Sequence, residues 1–329
     1  MLSGHVSAMA ALLFRRLIWR RLIVHEASGI HTSRAKRLES RLCIFCPRDI
    51  SMTIALSRSC LAGVCLLLSG LPFAHAADTR LFAGQSGTLD IAGGTAHIPV
   101  VEDVARQVGR ANPQVRITVT GGGSGVGIQK VGEGLVDIGS TGRAPSEAEI
   151  QRYDLKPFRF ALDGVAIAVH PSNPVGNLSM EQARDIFSGK IDNWKQVGGP
   201  DRRINLYGRD EASATREVFV GKVLGKDVQP ATRSTLVASN GAAKTAIARD
   251  KGAIGYLGMG YVDPNIKAVS INGVAPTQEH AKSGAYPVVR GLYFNTKGEP
   301  KPLAQTFYQY LQAPDGQAII RKHGYIPFF

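Results

Sequence analysis

Gly93-Gly94-Thr95-Ala96, Gly121-Gly122-Gly123-Ser124-Gly125 and Arg209-Asp210-Glu211-Ala212-Ser213-Ala214-Thr215 are the stretches that decide how this 329-residue chain folds. Each follows a strand-like run and opens a helix-like one. That local geometry aims free backbone N–H groups and the positive helix end at an anion. Three such ends in one chain point to a site for a tetrahedral oxyanion.

Outward from these stretches, apolar runs and helical spacings alternate. Leu89 to Ala92, Val115 to Val119, Phe160 to Val169, Ile204 to Tyr207, Ala253 to Tyr256 and Val288 to Phe294 read as strands. Several are continuous apolar runs, the pattern of a strand buried on both faces. Ile98, Val101, Val104 and Val108 recur at helical spacing, as do Ala183, Ile186 and Phe187, and Phe307, Tyr310 and Leu311 mark a C-terminal helix. The expected fold class is α/β with a mostly parallel sheet, whose ligands sit outside the carboxyl ends of the strands, where the glycine stretches fall. Proline and polar residues cluster at His170-Pro171-Ser172-Asn173-Pro174 and at Tyr261-Val262-Asp263-Pro264-Asn265. Read as crossings, they predict two lobes: a discontinuous one, 77–168 plus 264–329, and a continuous one, 169–263. A cleft between lobes joined by two strands suits closure around a small solute.

Residues 52–76 read as an export signal: Met52 and Arg58, an apolar stretch from Cys60 to Leu68, then Ala74-His75-Ala76 as a cleavage site. The stretch is too short to span a membrane, and Ala62-Gly63-Val64 before Cys65 is a poor acylation site. A soluble periplasmic protein, cleaved near Ala76, is expected. Residues 1–51 carry nine lysines and arginines against Glu26, Glu39 and Asp49, and read as a mis-called extension ahead of a start at Met52. Without these segments the formal charge of +13 falls to about +6, which favours anions in a cleft but is no nucleic-acid footprint. All four cysteines (Cys43, Cys46, Cys60, Cys65) precede Ala77, so the remainder must be held by its core alone.

From about Leu89 to the end, the chain resembles the periplasmic phosphate-binding component of bacterial phosphate-specific ABC importers. The resemblance rests on Ile91-Ala92-Gly93-Gly94-Thr95, on Gly121 to Gly125 followed by Asp137-Ile138-Gly139, and on Ile186 to Lys190 with Asn193-Trp194. It rests further on Arg209 to Thr215 followed by Phe219, on Gly252 to Tyr256, and on the Gly324-Tyr325-Ile326-Pro327 ending. It implies a two-lobed type II binding-protein fold with mixed, mostly parallel sheets and a hinge of two crossing strands. It also implies a monomer that binds inorganic phosphate and delivers it to an inner-membrane ABC permease. By the resemblance Thr95 and the Ala96 backbone donate from the first loop, Ser124 and Gly125 from the second, and Arg209, Ser213, Ala214 and Thr215 from the third. A buried phosphate needs many donors, and Arg209 adds a bidentate, charge-assisted contact that a lysine would not reproduce.

Two departures bear on selectivity. The third loop has Ala214 where the family usually has glycine. Gly142 and Arg143 stand where some members place a carboxylate that accepts the proton of hydrogen phosphate, so Arg143 is a candidate ligand and phosphate-over-sulfate discrimination is open. Another oxyanion (sulfate, molybdate, a phosphonate) is the alternative ligand, and a scavenger or adhesin without a transporter is a further reading. An exported phosphatase is a rival, but no catalytic residues are expected. His97, His170, His280 and His323 lie outside metal-ligand spacing, and the segment after residue 76 has no cysteine nucleophile, G-x-S-x-G elbow or P-loop. No metal, cofactor or nucleic-acid partner is expected. His97 and Trp194 read as packed core.

Overall fold

The computed structural model describes residues 78–329; the basic extension, the export signal and the four cysteines lie outside the described residues. In chain order come β1 (Gly87–Gly93), α1 (Ile98–Ala111), β2 (Val115–Thr120), α2 (Ser124–Gly132), β3 (Ile138–Thr141), α3 (Glu147–Tyr153) and β4 (Leu155–Val169). β5 (Asn177–Leu178), α4 (Met180–Ser188), β6 (Asn205–Gly208), α5 (Ala214–Phe219), β7 (Thr235–Leu236), α6 (Asn240–Arg249), β8 (Ala253–Gly258) and β9 (Lys267–Ile271) follow. The chain ends with α7 (Gln278–Ser283), β10 (Val289–Lys297), α8 (Pro302–Gln312), α9 (Pro314–Lys322) and β11 (Ile326–Pro327).

Local chemistry explains the helix boundaries. Pro99 in the first turn of α1 lacks only an N–H that a helix start leaves unpaired, and Val100, Val101, Val104 and Val108 bury one face. Each buried valine contributes about 1.5–3 kcal/mol relative to exposure. Ser146 with Glu149 and Ser179 with Gln182 form capping boxes at the starts of α3 and α4. Gly189 ends α4 at φ 88°, a left-handed position that suits glycine.

The strands join in the order β2-β1-β3-β10-β4-β8-β6-β7. β1 is parallel to β2 and β3, and β6 is parallel to β7 and β8. The ladders of β10 with β3 and β4, and of β4 with β8, β9 and β11, are antiparallel. The sheet is mixed, as expected, but the parallel majority expected from the apolar runs is corrected, because the ladders that centre on β4 and β10 are antiparallel. A continuous apolar run reports two covered faces and says nothing of the direction of its neighbour.

Two main apolar cores flank the middle of β4. One gathers Leu89, Ile91, Val101, Val104, Phe160, Phe294, Phe307 and Ile320; the other gathers Val165, Ile167, Ile186, Trp194, Phe219, Ile254, Val269, Tyr286 and Val288. Trp194 is fully buried and donates its indole N–H to the Gly252 carbonyl, 3.0 Å away. The packing changes over between Ala161 and Val165 in β4, and between Val289 and Leu292 in β10. At both points a charge interrupts the apolar run, and Asp163 stands directly opposite Arg290 in the ladder. Val269, Ile271, Tyr286 and Val288, all beyond 264, thus pack with the second core, because β9 pairs with the second half of β4.

Candidate functional site

The three glycine and hydroxyl stretches converge. The first, between β1 and α1, turns at Gly93 (φ 128°), where an added Cβ would lie 2.3 Å from the Ser140 carbonyl oxygen, so the loop can lie against β3 only as glycine. Gly94 N–H donates to that same carbonyl. Beyond it the Thr95 side chain is buried, and its Oγ1 accepts from Asn240 Nδ2 at 3.0 Å. The Thr95 carbonyl accepts from the Tyr261 hydroxyl, and the Ala96 carbonyl from the Tyr325 hydroxyl.

The second stretch opens α2. Gly123 takes φ 91°, and an added Cβ would meet the Ala212 carbonyl oxygen at 2.5 Å, so the second stretch lies directly on the third. Ser124 is buried, and its Oγ accepts from Gly142 N–H at 3.0 Å. In the third stretch Ser213 caps α5, accepting from Arg216 N–H, and Thr215 Oγ1 accepts from Arg290 Nη1 at 2.8 Å. Arg209 is 2% exposed. Its Nη2 donates to the Ala238 carbonyl, while its buried Nε and Nη1 have no partner.

A small cavity forms where these groups meet. Gly94, Thr95 and Ala96 line one side; Gly123, Ser124 and Gly142 line the next; Arg209, Ser213, Ala214 and Thr215 face them, and Arg290 forms the floor. Seven of the nine expected binding residues are thus brought together. Gly125 is not among them, because its N–H is committed to the Ala212 carbonyl at 3.3 Å.

Arg143, expected as a ligand, is not among the residues that line the cavity. Its Nη1 and Nη2 donate to the two oxygens of Glu149, at 2.8 Å each, and its Nε pairs with Glu217. The two carboxylates satisfy the guanidinium and turn it away. The pairing raises the arginine pKa and draws the Glu149 carboxyl down to about 2.

Arg290 and Asp163 were not among the expected site residues. Arg290 donates from Nε and Nη2 to Asp163 Oδ2 at 2.9 and 2.7 Å, and Met259 N–H donates to Asp163 Oδ1. Burial pushes the Asp163 carboxyl up, whereas the guanidinium and the Met259 N–H favour its ionised form, which three N–H donors require. A signal was present in the sequence. A charge inside a strand apolar on both faces has to be paired, and Asp163 and Arg290 each stand inside such a run.

His97 sits beneath the first loop, packed between the rings of Phe160 and Phe294. Its ring nitrogens lie 3.1 Å from the carbonyls of Gly94 and Tyr293, and the neutral ring donates to one of them. Complete burial, with the charge of Arg290 nearby, lowers its pKa to about 3. It is a packed histidine that supports the loop. Among the described residues no cluster of histidines and carboxylates could hold a metal ion. Two guanidinium groups and four hydroxyls in one lining are suited to the capture of an anion.

A family model described as a PBP superfamily domain matches residues 81–315. The chain is 40% identical over 245 residues to the phosphate-binding protein PstS of Bacillus subtilis strain 168, covering 74% of this chain and 81% of that protein. It is similar, with TM-score 0.70 and 32% identity, to a Clostridium perfringens structure described as a phosphate ABC transporter substrate-binding protein with bound phosphate; 74% of this chain and all of that one are covered. A Vibrio cholerae ABC-type phosphate transport receptor gives TM-score 0.58 and 31% identity, over 72% of this chain and 99% of that one.

Proposed function

This chain belongs to the PBP superfamily and, within it, to the PstS phosphate-binding proteins, and from that premise we propose that it binds inorganic phosphate in the cavity and hands it to an ABC permease for import. The observation that carries the reading is the pair of unpartnered, buried donors on Arg209, a residue that lines a cavity with no carboxylate in its lining. A buried guanidinium with free N–H groups is costly unless an anion completes it. The relatives are binding proteins, so the reading assigns capture and release and no turnover. Its place is outside the cytoplasm, in the periplasm once the 52–76 signal is removed, and its working form is a monomer. Among the described residues no helix is long and apolar enough to cross a membrane.

The two cores support a reading as two lobes that close on the anion, with β4 and β10 as the crossing strands and Asp163 and Arg290 at the hinge line. On this reading the second lobe ends near Val288 rather than near 264. Thr95, Ala96 and Ser124 form one jaw, and Arg209, Ser213, Ala214 and Thr215 form the other. Arg143 acts on the rim. It stands in the loop after β3 and reaches Glu217 on α5 across the cleft, holding the jaws together without touching the ligand.

Calorimetric titration of the protein with phosphate tests the reading. One site of micromolar or tighter affinity is expected, about −8 kcal/mol or better. Arg209→Ala should abolish the heat while circular dichroism and the thermal transition stay in place. No binding of phosphate alongside clear binding of a phosphonate or another oxyanion would replace the ligand and leave the fold standing.

A further inference from the structure

Two tyrosine hydroxyls reach the first glycine loop from segments that do not line the cavity. Tyr261 stands in the turn after β8 and donates to the Thr95 carbonyl. Tyr325 follows α9, is fully buried, and donates to the Ala96 carbonyl at 2.8 Å. The two tyrosines meet at Gly260, where an added Cβ would lie 2.6 Å from Tyr325 Cζ and 2.7 Å from its hydroxyl oxygen. Only a glycine beside Tyr261 lets the Tyr325 ring through to the loop. The chain's ending is anchored around it, with Tyr325 N–H donating to the Ile320 carbonyl and Phe328 N–H to the Phe160 carbonyl. Burial pushes the ionisation of both hydroxyls up, so each stays a donor.

A trans peptide is planar, and its N–H points opposite to its C=O. No described peptide bond is cis. The Tyr261 hydroxyl on the Thr95 carbonyl therefore sets the direction of the Ala96 N–H. The Tyr325 hydroxyl on the Ala96 carbonyl sets that of the His97 N–H, which donates to the Gly94 carbonyl at 3.2 Å. Gly94 N–H is taken by the Ser140 carbonyl. Among the described residues the Ala96 N–H has no acceptor, although Ala96 is buried and lines the cavity. A buried backbone donor is seldom left without a partner.

We propose that Tyr261 and Tyr325 are positioning residues for the anion: by holding two consecutive peptide planes, they keep the Ala96 N–H turned to the cavity. The inference rests on the phosphate-binding reading and adds the residues that set up one of its donors. Neither hydroxyl touches the ligand. With both planes held, the Ala96 N–H rotates away only by breaking a buried hydrogen bond, so the donor is in place before the anion arrives.

The test is calorimetric titration with inorganic phosphate on the wild-type protein, Tyr261→Phe, Tyr325→Phe and Tyr286→Phe. Each substitution keeps the ring and removes only the hydroxyl. The Tyr286 hydroxyl donates to the Val165 carbonyl at 3.0 Å within the second core, so its loss removes the same kind of bond away from the loop. Tyr261→Phe should weaken phosphate about tenfold or more, the effect of one hydrogen bond to a charged group, and chiefly through faster dissociation. Tyr325→Phe acts through the next plane and should weaken it less. Tyr286→Phe should lower the urea midpoint and leave the affinity within about twofold of wild type, because it shares no partner with the loop. In a nitrogen–proton correlation spectrum the Ala96 amide proton should move downfield on phosphate saturation, and less so in Tyr261→Phe. An unchanged affinity in a folded Tyr261→Phe, or an equal loss in Tyr286→Phe, overturns the positioning role and leaves phosphate binding intact. No heat with phosphate on the wild-type chain overturns the proposed function and this assignment with it. If Tyr261→Phe fails to fold, the wild-type Ala96 amide decides, and the absence of a downfield shift removes the positioning role.

Discussion

Two arginine–carboxylate pairs of nearly equal length occupy opposite situations. At the rim Arg143 meets Glu149 at 2.8 Å, with side chains 23% and 25% exposed, and Glu217 at 2.8 Å, 59% exposed. At the floor Arg290 meets Asp163 at 2.7 Å, with exposures of 3% and 0%. Water and salt screen the first pair, and its loss leaves each partner hydrated. The second lies where neither charge can be hydrated alone, so its members depend on each other. Distance is therefore a poor guide to what an ion pair does; burial decides. The floor pair orients Thr215 and charges the cavity, whereas the rim pair can act only on how the jaws meet.

Removing one partner at the floor should have the largest effect. Arg290→Met should destabilise the chain by about 3–5 kcal/mol in urea unfolding, because it strands the Asp163 carboxylate. The double change Asp163→Leu with Arg290→Met should recover most of that loss, yet phosphate affinity should stay low, because Thr215 no longer receives its internal donor. Full recovery of binding would remove Arg290 from the binding site. Next in size is a pH effect beneath the same floor. The His97 pKa is depressed from 6.5 to about 3, so the unfolded chain binds more protons between those values, and stability should fall as pH drops through that window. The loss should reach several kcal/mol, read as a falling urea midpoint, and His97→Gln should flatten it. A pH-independent midpoint between 6.5 and 3 would show that the ring is hydrated.

The rim should give the smallest signals. Arg143→Ala should change stability by no more than about 1 kcal/mol, with the difference shrinking as salt is raised. Its effect on phosphate should be an increase in dissociation rate of less than about tenfold, measured by stopped-flow competition. A loss of binding as complete as that of Arg209→Ala would return Arg143 to the ligand set. Glu149, depressed from 4.5 to about 2, contributes stability that is present above 4.5 and lost as pH falls towards 2. In the Arg143→Ala background that contribution should disappear.

The same contrast separates what could be read in the residues from what could not. The glycine loops were legible because a turn that lies against a neighbouring strand tolerates only a residue without Cβ, as at Gly93 and Gly123. Strand and helix positions were legible because burial imposes a period on the side chains, as Val100, Val101, Val104 and Val108 do in α1. The pairing of Arg143 with Glu149 was not legible, because a guanidinium next to a binding loop reads the same whether it faces a ligand or a carboxylate six residues on. Arg290 was overlooked although its setting in an apolar strand carried a signal, because the partner that explains it lies 127 residues away in sequence.

By itself, then, the chain's sequence determined an α/β alternation, three anion-cradling turns and most of the residues that line the cavity. These depend on local sterics and periodicity, which neighbouring residues encode. Tertiary structure alone decided which ladders of the sheet run antiparallel, the change of core near residue 288, and the burial of Asp163 against Arg290. Each depends on which distant group arrives at hydrogen-bonding distance, and no local pattern of residues specifies that.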